Sequence, residues 1–192
     1  TADNIMSEKP DVVVIATGAR ARLPDAKGLD AARKSGFVVT IEEAMAREKP
    51  AKVGQKVVIY GSGEGGELAI NLKREGKEVR LLEAAPSYVP AIYLGSRTPV
   101  VMGLLAFSGI PVEGGLTLES VEGKTATFRK ADGSHEIVEA DTIILALGRE
   151  SDNSLVAPLE AKGVEVHLIG DAKKVRSYGN AIHEAAYLAR QI

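Results

Sequence analysis

Short, mainly apolar runs alternate along this chain with amphipathic stretches and glycine-rich turns. Such runs are typical of strands in the middle of a parallel sheet, where both faces are buried and the connections are helical. We therefore predict parallel strands at residues 11–16, 56–60, 78–83, 142–147 and 166–169. Three runs of alternating polarity predict an antiparallel ribbon of two or three strands at 116–121, 125–129 and 135–138. Asp132-Gly133, between the last two runs, is a hairpin signal.

Helices are predicted from capping signals and from apolar residues at helical spacing. Thr40 and Glu43 have the spacing of a capping box, which begins a short helix. A second helix is predicted from Gly65 to about Glu75. Two more are predicted at 94–109 and from about 179 to the end, and the apolar face of the last comprises Ile182, Ala185, Ala186 and Ala189. Residues 19–36, rich in proline, glycine and charge, are predicted to form a loop.

Composition excludes several classes of function. Hydrophobic residues make up 45% and charged residues 26%, and the net charge is −2 without a block of like charges. Neither nucleic acid nor an anionic membrane is therefore favoured as a partner. No apolar run approaches the ~18 residues that a membrane helix needs. Residues 1–10 lack the basic and apolar parts of a signal peptide, and we expect a cytoplasmic protein.

Cysteine is absent, which excludes disulfides, thiolate catalysis and cysteine-ligated metal centres within this chain. The three histidines are dispersed and have no ligand spacing, so no metal site is predicted. No pair of carboxylates and no nucleophile–base set stands out, and no catalytic residue is assigned.

The strongest chemical signal is a glycine cluster between the predicted strands at 56–60 and 78–83. Gly61, Gly63 and Gly66 match G-x-G-x-x-G, and the cluster follows a strand and opens a helix as a dinucleotide-binding turn does. In that role Gly61 permits the tight turn, Gly63 lets the backbone approach a pyrophosphate, and Gly66 lets the helix pack closely on the strand. Free N–H groups at the helix N-terminus would bind the phosphates. The alternative is a glycine-rich turn that binds no ligand.

Glu83 ends the next predicted strand, close to the ~20 positions after Gly61 at which a dinucleotide site has its acidic residue. That carboxylate accepts hydrogen bonds from the adenosine ribose, and its charge disfavours the 2′-phosphate of NADP. Residues 81–96 contain no arginine or lysine that would bind such a phosphate. We therefore predict NAD as the nucleotide. The alternative is that Glu83 is a solvated strand end.

Further motifs give a family resemblance over nearly the whole chain. In sequence order they are PDVVVIATG at 10–18, GSGEGGE at 61–67, VHLIGDAKK at 166–174 and NAIHE at 180–184. Together they resemble the C-terminal region of the old yellow enzyme-related NADH:flavin oxidoreductases, the group of 2-enoate reductase, 2,4-dienoyl-CoA reductase and trimethylamine dehydrogenase. In that family an NAD-binding domain is inserted into an FAD-binding domain. The resemblance implies a Rossmann-like α/β domain at 41–148, with a parallel sheet and an antiparallel β-ribbon, within an incomplete FAD-type α/β domain at 1–40 and 149–192.

The resemblance also implies which residues bind the two cofactors. Those expected to bind NAD(H) are Gly61, Gly63, Gly66 and Glu83. Gly170 and Asp171 would contact the ribityl–pyrophosphate part of FAD, and Ala181 and Ile182 would lie near the flavin ring. Thr17, Gly18 and Gly148 would lie where the two domains cross. Hydride would pass from NADH to FAD, and in longer relatives electrons continue to an iron–sulfur cluster and to FMN.

The sequence contains one glycine fingerprint where the family has two, since the fingerprint for FAD precedes the strand at 11–16. We therefore expect the chain to be part of an NADH-dependent flavin oxidoreductase that reduces an enoate- or enoyl-type substrate. The N-terminal part of the same enzyme, with the FMN and iron–sulfur sites, is its expected partner. A homo-oligomer is left open, and the isolated chain is expected to be inactive. Two alternatives are a non-catalytic module that binds ADP or another nucleotide, and a standalone NAD-binding regulator.

Overall fold

The fold is described from a computed structural model in which residues 1–87 and 97–192 are described. In chain order the elements are α1 (Ala2–Ser7), β1 (Val12–Ile15), β2 (Ala19–Ala21), α2 (Leu29–Lys34), β3 (Val38–Thr40), α3 (Ile41–Ala44), β4 (Lys56–Tyr60), α4 (Gly65–Arg74), β5 (Glu78–Leu82), α5 (Thr98–Ser108), β6 (Val112–Glu113), β7 (Leu116–Glu122), β8 (Thr125–Lys130), β9 (His135–Glu139), β10 (Thr142–Leu145), β11 (Arg149–Ser151), α6 (Val156–Glu160), β12 (Glu165–Leu168), a 3-10 turn (Gly170–Ala172) and α7 (Tyr178–Leu188).

The chain divides into two compact units. The first unit combines Thr1–Arg20 with Arg149–Ile192, and the second is Ala21–Gly148. The second unit thus begins before residue 41, where the sequence analysis places the boundary. Residues 21–40 belong to it because Leu29 and Phe37 lie in its core and β3 pairs with β10.

The second unit is built on a five-stranded parallel sheet in the order β3-β10-β4-β5-β6. The predicted parallel sheet is confirmed for β4, β5 and β10, whereas the strands predicted at 11–16 and 166–169 pair in a separate sheet. Residues of β4 alternate between its two faces. Val57 and Ile59 pack with residues of α4 and α5, whereas Val58 and Tyr60 pack with α2 and the strands that follow β6. Both faces of the sheet are therefore covered, which explains why its strands are continuous apolar runs.

An antiparallel ribbon, β7-β8-β9, covers part of one face of this sheet, as the sequence predicts. Gly133 has a φ of 84° in the turn between β8 and β9. The ring of Phe128 is fully buried and packs edge-on against Tyr60, with 5.3 Å between the centroids. This contact fixes the ribbon against the strand that leads into the glycine cluster.

The first unit contains a two-stranded parallel sheet, in which β1 pairs with β12, and a second pair of strands, β2 with β11. The prediction that the strand at 11–16 is buried on both faces was wrong, because Val14 is 40% exposed. Val13 and Ile15 are buried whereas Val12 and Val14 are not, so one face of β1 is covered and the other is accessible.

The predicted apolar face of the last helix is also wrong by about one residue. Ile182 is 61% exposed, and Leu188 is the buried residue of α7. Ala181 and Ala185 lie on the same side as Leu188, because they precede it by seven and three positions and are half-buried. The contacts of α7 are made mainly with the 3-10 turn at Gly170–Ala172, and these contacts partly bury this side of the helix.

Several short elements were not predicted: β2 and α2, within the expected loop at 19–36, and also α1, β3, β6, β11 and α6. The capping box at Thr40 and Glu43 is confirmed, with both of its hydrogen bonds formed. The helix predicted at 94–109 is observed as α5, at 98–108, and residues 94–96 lie outside the described part of the chain. In the described ranges, every helix is too short or too polar to cross a membrane.

Candidate functional site

The glycine cluster follows β4 at the carboxyl edge of the parallel sheet. Gly61 has a φ of 105°, a region that side chains disfavour. A Cβ atom at this position would lie 2.3 Å from the carbonyl oxygen of Ala146, the residue after β10. The N–H of Gly61 donates to the carbonyl of Leu82 at 2.8 Å. Only glycine therefore fits here, and the turn is held against both neighbouring strands.

The close approach of α4 to the sheet takes place at Gly65. A Cβ atom there would lie 2.8 Å from Cγ2 of Ile59 and 3.1 Å from Cβ of Ala146. Gly66, for which the motif predicts this packing role, is buried, and its N–H donates to the carbonyl of Ser62 at 2.8 Å. The missing side chain at Gly65 thus lets the helix begin directly against the sheet.

Glu83 is not a solvated strand end, because its carboxylate is half-buried and reaches back to the glycine cluster. Its Oε2 accepts hydrogen bonds from the backbone N–H of Ser62, at 2.8 Å, and from the Ser62 hydroxyl. Its Oε1 accepts from the N–H of Ala85 at 3.2 Å. Glu83 and the glycine turn are therefore linked by hydrogen bonds. The sequence does not predict this link, because Ser62 occupies a variable position of the motif.

The charge of Glu83 also affects the pKa of Tyr60, the last residue of β4. Burial raises the pKa of the Tyr60 hydroxyl, and the negative charge of Glu83 raises it further. The N–H of Leu118 donates to this oxygen at 3.3 Å and lowers the pKa, but by less. Tyr60 thus remains neutral at physiological pH.

The start of α4 is also acidic. Glu64 precedes the helix and is half-buried, and Glu67 lies in its first turn. The guanidinium of Arg97, at the start of α5, forms an ion pair with Glu67. This pair offsets one acidic charge near the helix N-terminus, where the positive end of the helix dipole would meet phosphates.

In the first unit, Gly170 and Asp171 follow β12 as predicted. Gly170 has a φ of 61°, and its N–H donates to Oε2 of Glu184 at 2.8 Å. Oδ1 of Asp171 accepts from the N–H of Arg176 at 3.0 Å. The Arg176 guanidinium also forms an ion pair with Glu184 and, with the N–H of Gly170, holds the pKa of that carboxyl below its ordinary value. The positions of Glu184 and Arg176 were not predicted, although Glu184 belongs to the NAIHE motif.

Of the two residues predicted near a flavin ring, only Ala181 is close to Gly170. A Cβ atom at Gly170 would lie 3.1 Å from the Cβ of Ala181, whereas Ile182 points to solvent. Thr17, Gly18 and Gly148 lie near the two points where the chain passes from one unit to the other. Within the first unit, the Thr17 hydroxyl donates to the carbonyl of Asp152 at 2.5 Å. In the described residues, no cluster of three or more metal-ligating side chains occurs.

Comparison with protein families matches residues 4–185 to the model described as "Pyridine nucleotide-disulphide oxidoreductase". Cinnamate reductase of Clostridium sporogenes is 29% identical over 193 aligned residues, which cover 99% of this chain and 28% of that protein. NADH oxidase of Thermoanaerobacter brockii is 27% identical, over 100% of this chain and 29% of its own length. The chain therefore spans less than a third of these curated relatives.

Solved structures show the same fold. A 2-naphthoyl-CoA reductase superimposes with a TM-score of 0.76 and 30% identity over 95% of this chain and 27% of that chain. Thioredoxin reductase of T. acidophilum superimposes with a TM-score of 0.66 and 16% identity, over 90% of this chain and 61% of its own. The parallel sheet with its antiparallel ribbon is thus the fold of FAD- and NAD(P)-binding oxidoreductases.

Proposed function

The chain belongs to the pyridine nucleotide-disulphide oxidoreductase family, and from this premise we propose that its second unit binds NAD(H) on behalf of a flavin oxidoreductase. The proposed nucleotide site comprises Gly61, Gly63, Gly66 and Glu83. The observation that carries the proposal is the bonding of the Glu83 carboxylate to Ser62 within the glycine turn. This contact puts a ribose acceptor and a phosphate-binding turn next to each other, as one adenosine diphosphate moiety requires.

The residues of the turn fit a nucleotide. Gly61 lets the turn lie directly against Ala146, and the N–H groups at the start of α4, which begins at Gly65, would bind a pyrophosphate. From the described residues, the Glu83 carboxylate accepts three hydrogen bonds. A carboxylate has about four acceptor sites, and we propose that a ribose hydroxyl donates to this carboxylate. A 2′-phosphate would bring a second negative charge to this half-buried carboxylate, so the site should prefer NADH.

We further propose that the first unit contributes to an FAD site through Gly170, Asp171 and Ala181. When bound, NADH supplies a hydride and FAD accepts it. The chain's own residues bind and orient: Glu184 and Arg176 hold the backbone of Gly170 and the side chain of Asp171 in place.

The finer assignment is to the old yellow enzyme-related NADH:flavin oxidoreductases, and it includes FMN and an iron–sulfur cluster in a further N-terminal part of the enzyme. The similarity over the whole chain to a cinnamate reductase and a 2-naphthoyl-CoA reductase supports this assignment. On this basis we propose an enoate- or enoyl-type substrate, reduced at a site outside the 192 residues.

Calorimetric titration of the chain with NADH and NADPH tests the nucleotide site. We expect NADH to bind more tightly, and Gly63→Val to abolish binding because a side chain blocks the backbone approach to the pyrophosphate. Circular dichroism checks that this variant keeps its fold. Equal or tighter binding of NADPH would contradict the assignment of Glu83. Reduction of bound flavin by NADH in the longer enzyme separates a catalytic role from a nucleotide-binding module.

A further inference from the structure

The proposed nucleotide site carries an excess of negative charge. Glu64 precedes α4, Glu67 lies in the first turn of that helix, and Glu83 bonds to the glycine turn. A dinucleotide adds a doubly charged pyrophosphate to these carboxylates. The N-terminus of a helix offers only the equivalent of roughly half a positive charge. A cationic side chain close to the start of α4 would therefore strengthen the binding of such a ligand.

Arg97 is placed to supply this charge. Between Glu83 and Glu113 it is the single charged residue of the sequence, and it immediately precedes α5. It stands four and eight positions before Val101 and Leu105, which are buried in the same core as the apolar residues of α4. This spacing puts Arg97 on the side of α5 that faces α4. Its guanidinium accordingly reaches α4, where Nη2 donates to Oε1 of Glu67.

The contact with Glu67 brings the guanidinium to the N-terminal end of α4. Glu67 is the third residue of this helix, and the side chain of a helical residue leans towards the N-terminus of its helix. The N–H groups that would bind a pyrophosphate are at the same end. Arg97 thus binds a side chain of the helical turn that would receive the phosphates.

The ion pair between Arg97 and Glu67 is weak enough to be exchanged. The side chain of Arg97 is 70% exposed and that of Glu67 is 32% exposed, and exposed ion pairs contribute little to stability because water solvates both charges. A pyrophosphate carries more negative charge than the carboxylate, and it accepts the parallel hydrogen bonds that a guanidinium donates. A phosphate group within reach of Arg97 can therefore displace Glu67.

We propose that Arg97 is a further residue of the nucleotide site, and that it exchanges Glu67 for the pyrophosphate when the ligand binds. This inference rests on the function proposed for the second unit. Glu67 is then an internal competitor that occupies Arg97 while the site is empty. The site consequently selects ligands that contain a diphosphate group, NADH and ADP alike. The preference for NADH over NADPH still comes from Glu83.

Calorimetric titration of the 192-residue chain with ADP, NADH and NADPH tests this role. Arg97→Gln should weaken the binding of ADP and NADH at least tenfold, since a hydrogen bond between charged groups is lost. Arg97→Lys, which keeps the charge but not the parallel donors, should be intermediate. Arg74→Gln is the matched control, because Arg74 is exposed in the last turn of α4, ~10 Å along the helix axis from Glu67. Its affinities should match those of the wild type.

A pair of substitutions that conserves net charge separates direct binding from charge balance. Glu67→Gln alone should bind ADP about threefold more tightly, because the competing carboxylate is gone. The double variant Arg97→Gln/Glu67→Gln has the same net charge as the wild type. If Arg97 only neutralised Glu67, this double variant would bind ADP as the wild type does. Direct binding of the pyrophosphate requires that the double variant remain at least fivefold weaker.

The titrations distinguish the failure of this inference from the failure of the nucleotide site. A wild-type chain that binds neither ADP nor NADH refutes the site and the role of Arg97 together. Wild-type binding combined with unchanged affinity in Arg97→Gln, or with full recovery in the double variant, refutes the role of Arg97 alone. A loss confined to NADPH also refutes it, because Arg97 would then bind the 2′-phosphate. Circular dichroism checks that each variant keeps its fold, and Arg97→Lys serves if Arg97→Gln does not.

Discussion

At the scale of single residues, the hydroxyl of Ser62 is the contact that distinguishes this glycine turn from one that only reverses the chain. Ser62 is buried and donates to Glu83 through both its N–H and its hydroxyl. The backbone contact is available to any residue at this position, whereas the side-chain contact requires a hydroxyl. Ser62 therefore orients the proposed ribose acceptor without itself being needed to bind the ribose.

Ser62→Ala should weaken NADH binding about fivefold, because the Glu83 carboxylate loses the hydroxyl that orients it towards the ribose, an effect on the order of 1 kcal/mol. Binding of NADPH should change less, since repulsion by Glu83 limits it in either case. Calorimetric titration measures both, and Ser87→Ala, at an exposed serine beyond Ala85, is the control. An unchanged affinity for NADH in Ser62→Ala would show that the hydroxyl has no part in positioning Glu83.

At the scale of elements, the short helix α3 depends on its capping box. Glu43 accepts a hydrogen bond from the N–H of Thr40 at 2.7 Å and pairs with Arg33 at 2.8 Å. Partial burial acts to raise the pKa of Glu43, but the bonds from Thr40 and Arg33 outweigh it, and the pKa lies below its ordinary value of 4.5. The stabilisation from Glu43 is therefore present above pH 4.5 and is lost as the pH falls below that value.

Glu43→Gln should destabilise α3 by about 1 kcal/mol at pH 7, the typical worth of a cap. The difference from wild type should vanish at a pH well below 4.5, where the carboxyl of the wild type is protonated. Hydrogen exchange of the amides in 41–45 measures the stability of α3 itself. A local measurement is needed because the two compact units need not unfold together. Glu48→Gln, at an exposed residue after the helix, should have no effect at either pH. A difference that persists at low pH contradicts the role of the carboxylate.

The sequence predicts the long elements better than the short ones. The strand at Lys56–Tyr60 is found where the apolar run predicts it, since a strand buried on both faces has a pattern of its own. By contrast, α2 and the two-residue strand β6 form only because neighbouring elements supply their contacts. Similarly, spacing identifies the glycine motif but not the close contact of Gly65 with Ile59, which depends on the residue at which α4 begins.

At the scale of the whole molecule, the two units differ in how completely they supply a dinucleotide site. The second unit has a glycine turn, a helix N-terminus and an acidic strand end within one continuous segment. The first unit has Gly170 and Asp171, and both are bonded within the unit, to Glu184 and Arg176. The pyrophosphate grip of a Rossmann site comes from the glycine turn, and the 192 residues contain one such fingerprint.

We therefore expect the purified chain to bind NADH but not to retain FAD. After incubation with FAD and desalting, its visible spectrum should show far less than one flavin per chain, and it should not oxidise NADH. Free FAD run through the same column is the control. One bound flavin per chain that NADH can reduce would contradict this expectation. It would mean that Gly170 and Asp171 are enough to bind FAD without a second glycine turn.

The pairing of β1 with β12 has a consequence for biosynthesis. Val12 is aligned with Glu165, and the whole of the second unit, Ala21–Gly148, lies between them in the chain. During translation, β1 leaves the ribosome about 150 residues before its partner strand, a delay of roughly ten to thirty seconds at ordinary elongation rates. The second unit can fold in that interval, while Val13 and Ile15, which are buried in the finished protein, stay accessible to chaperones and to aggregation. The residues of β1 are thus synthesised well before they can reach their native contacts with β12.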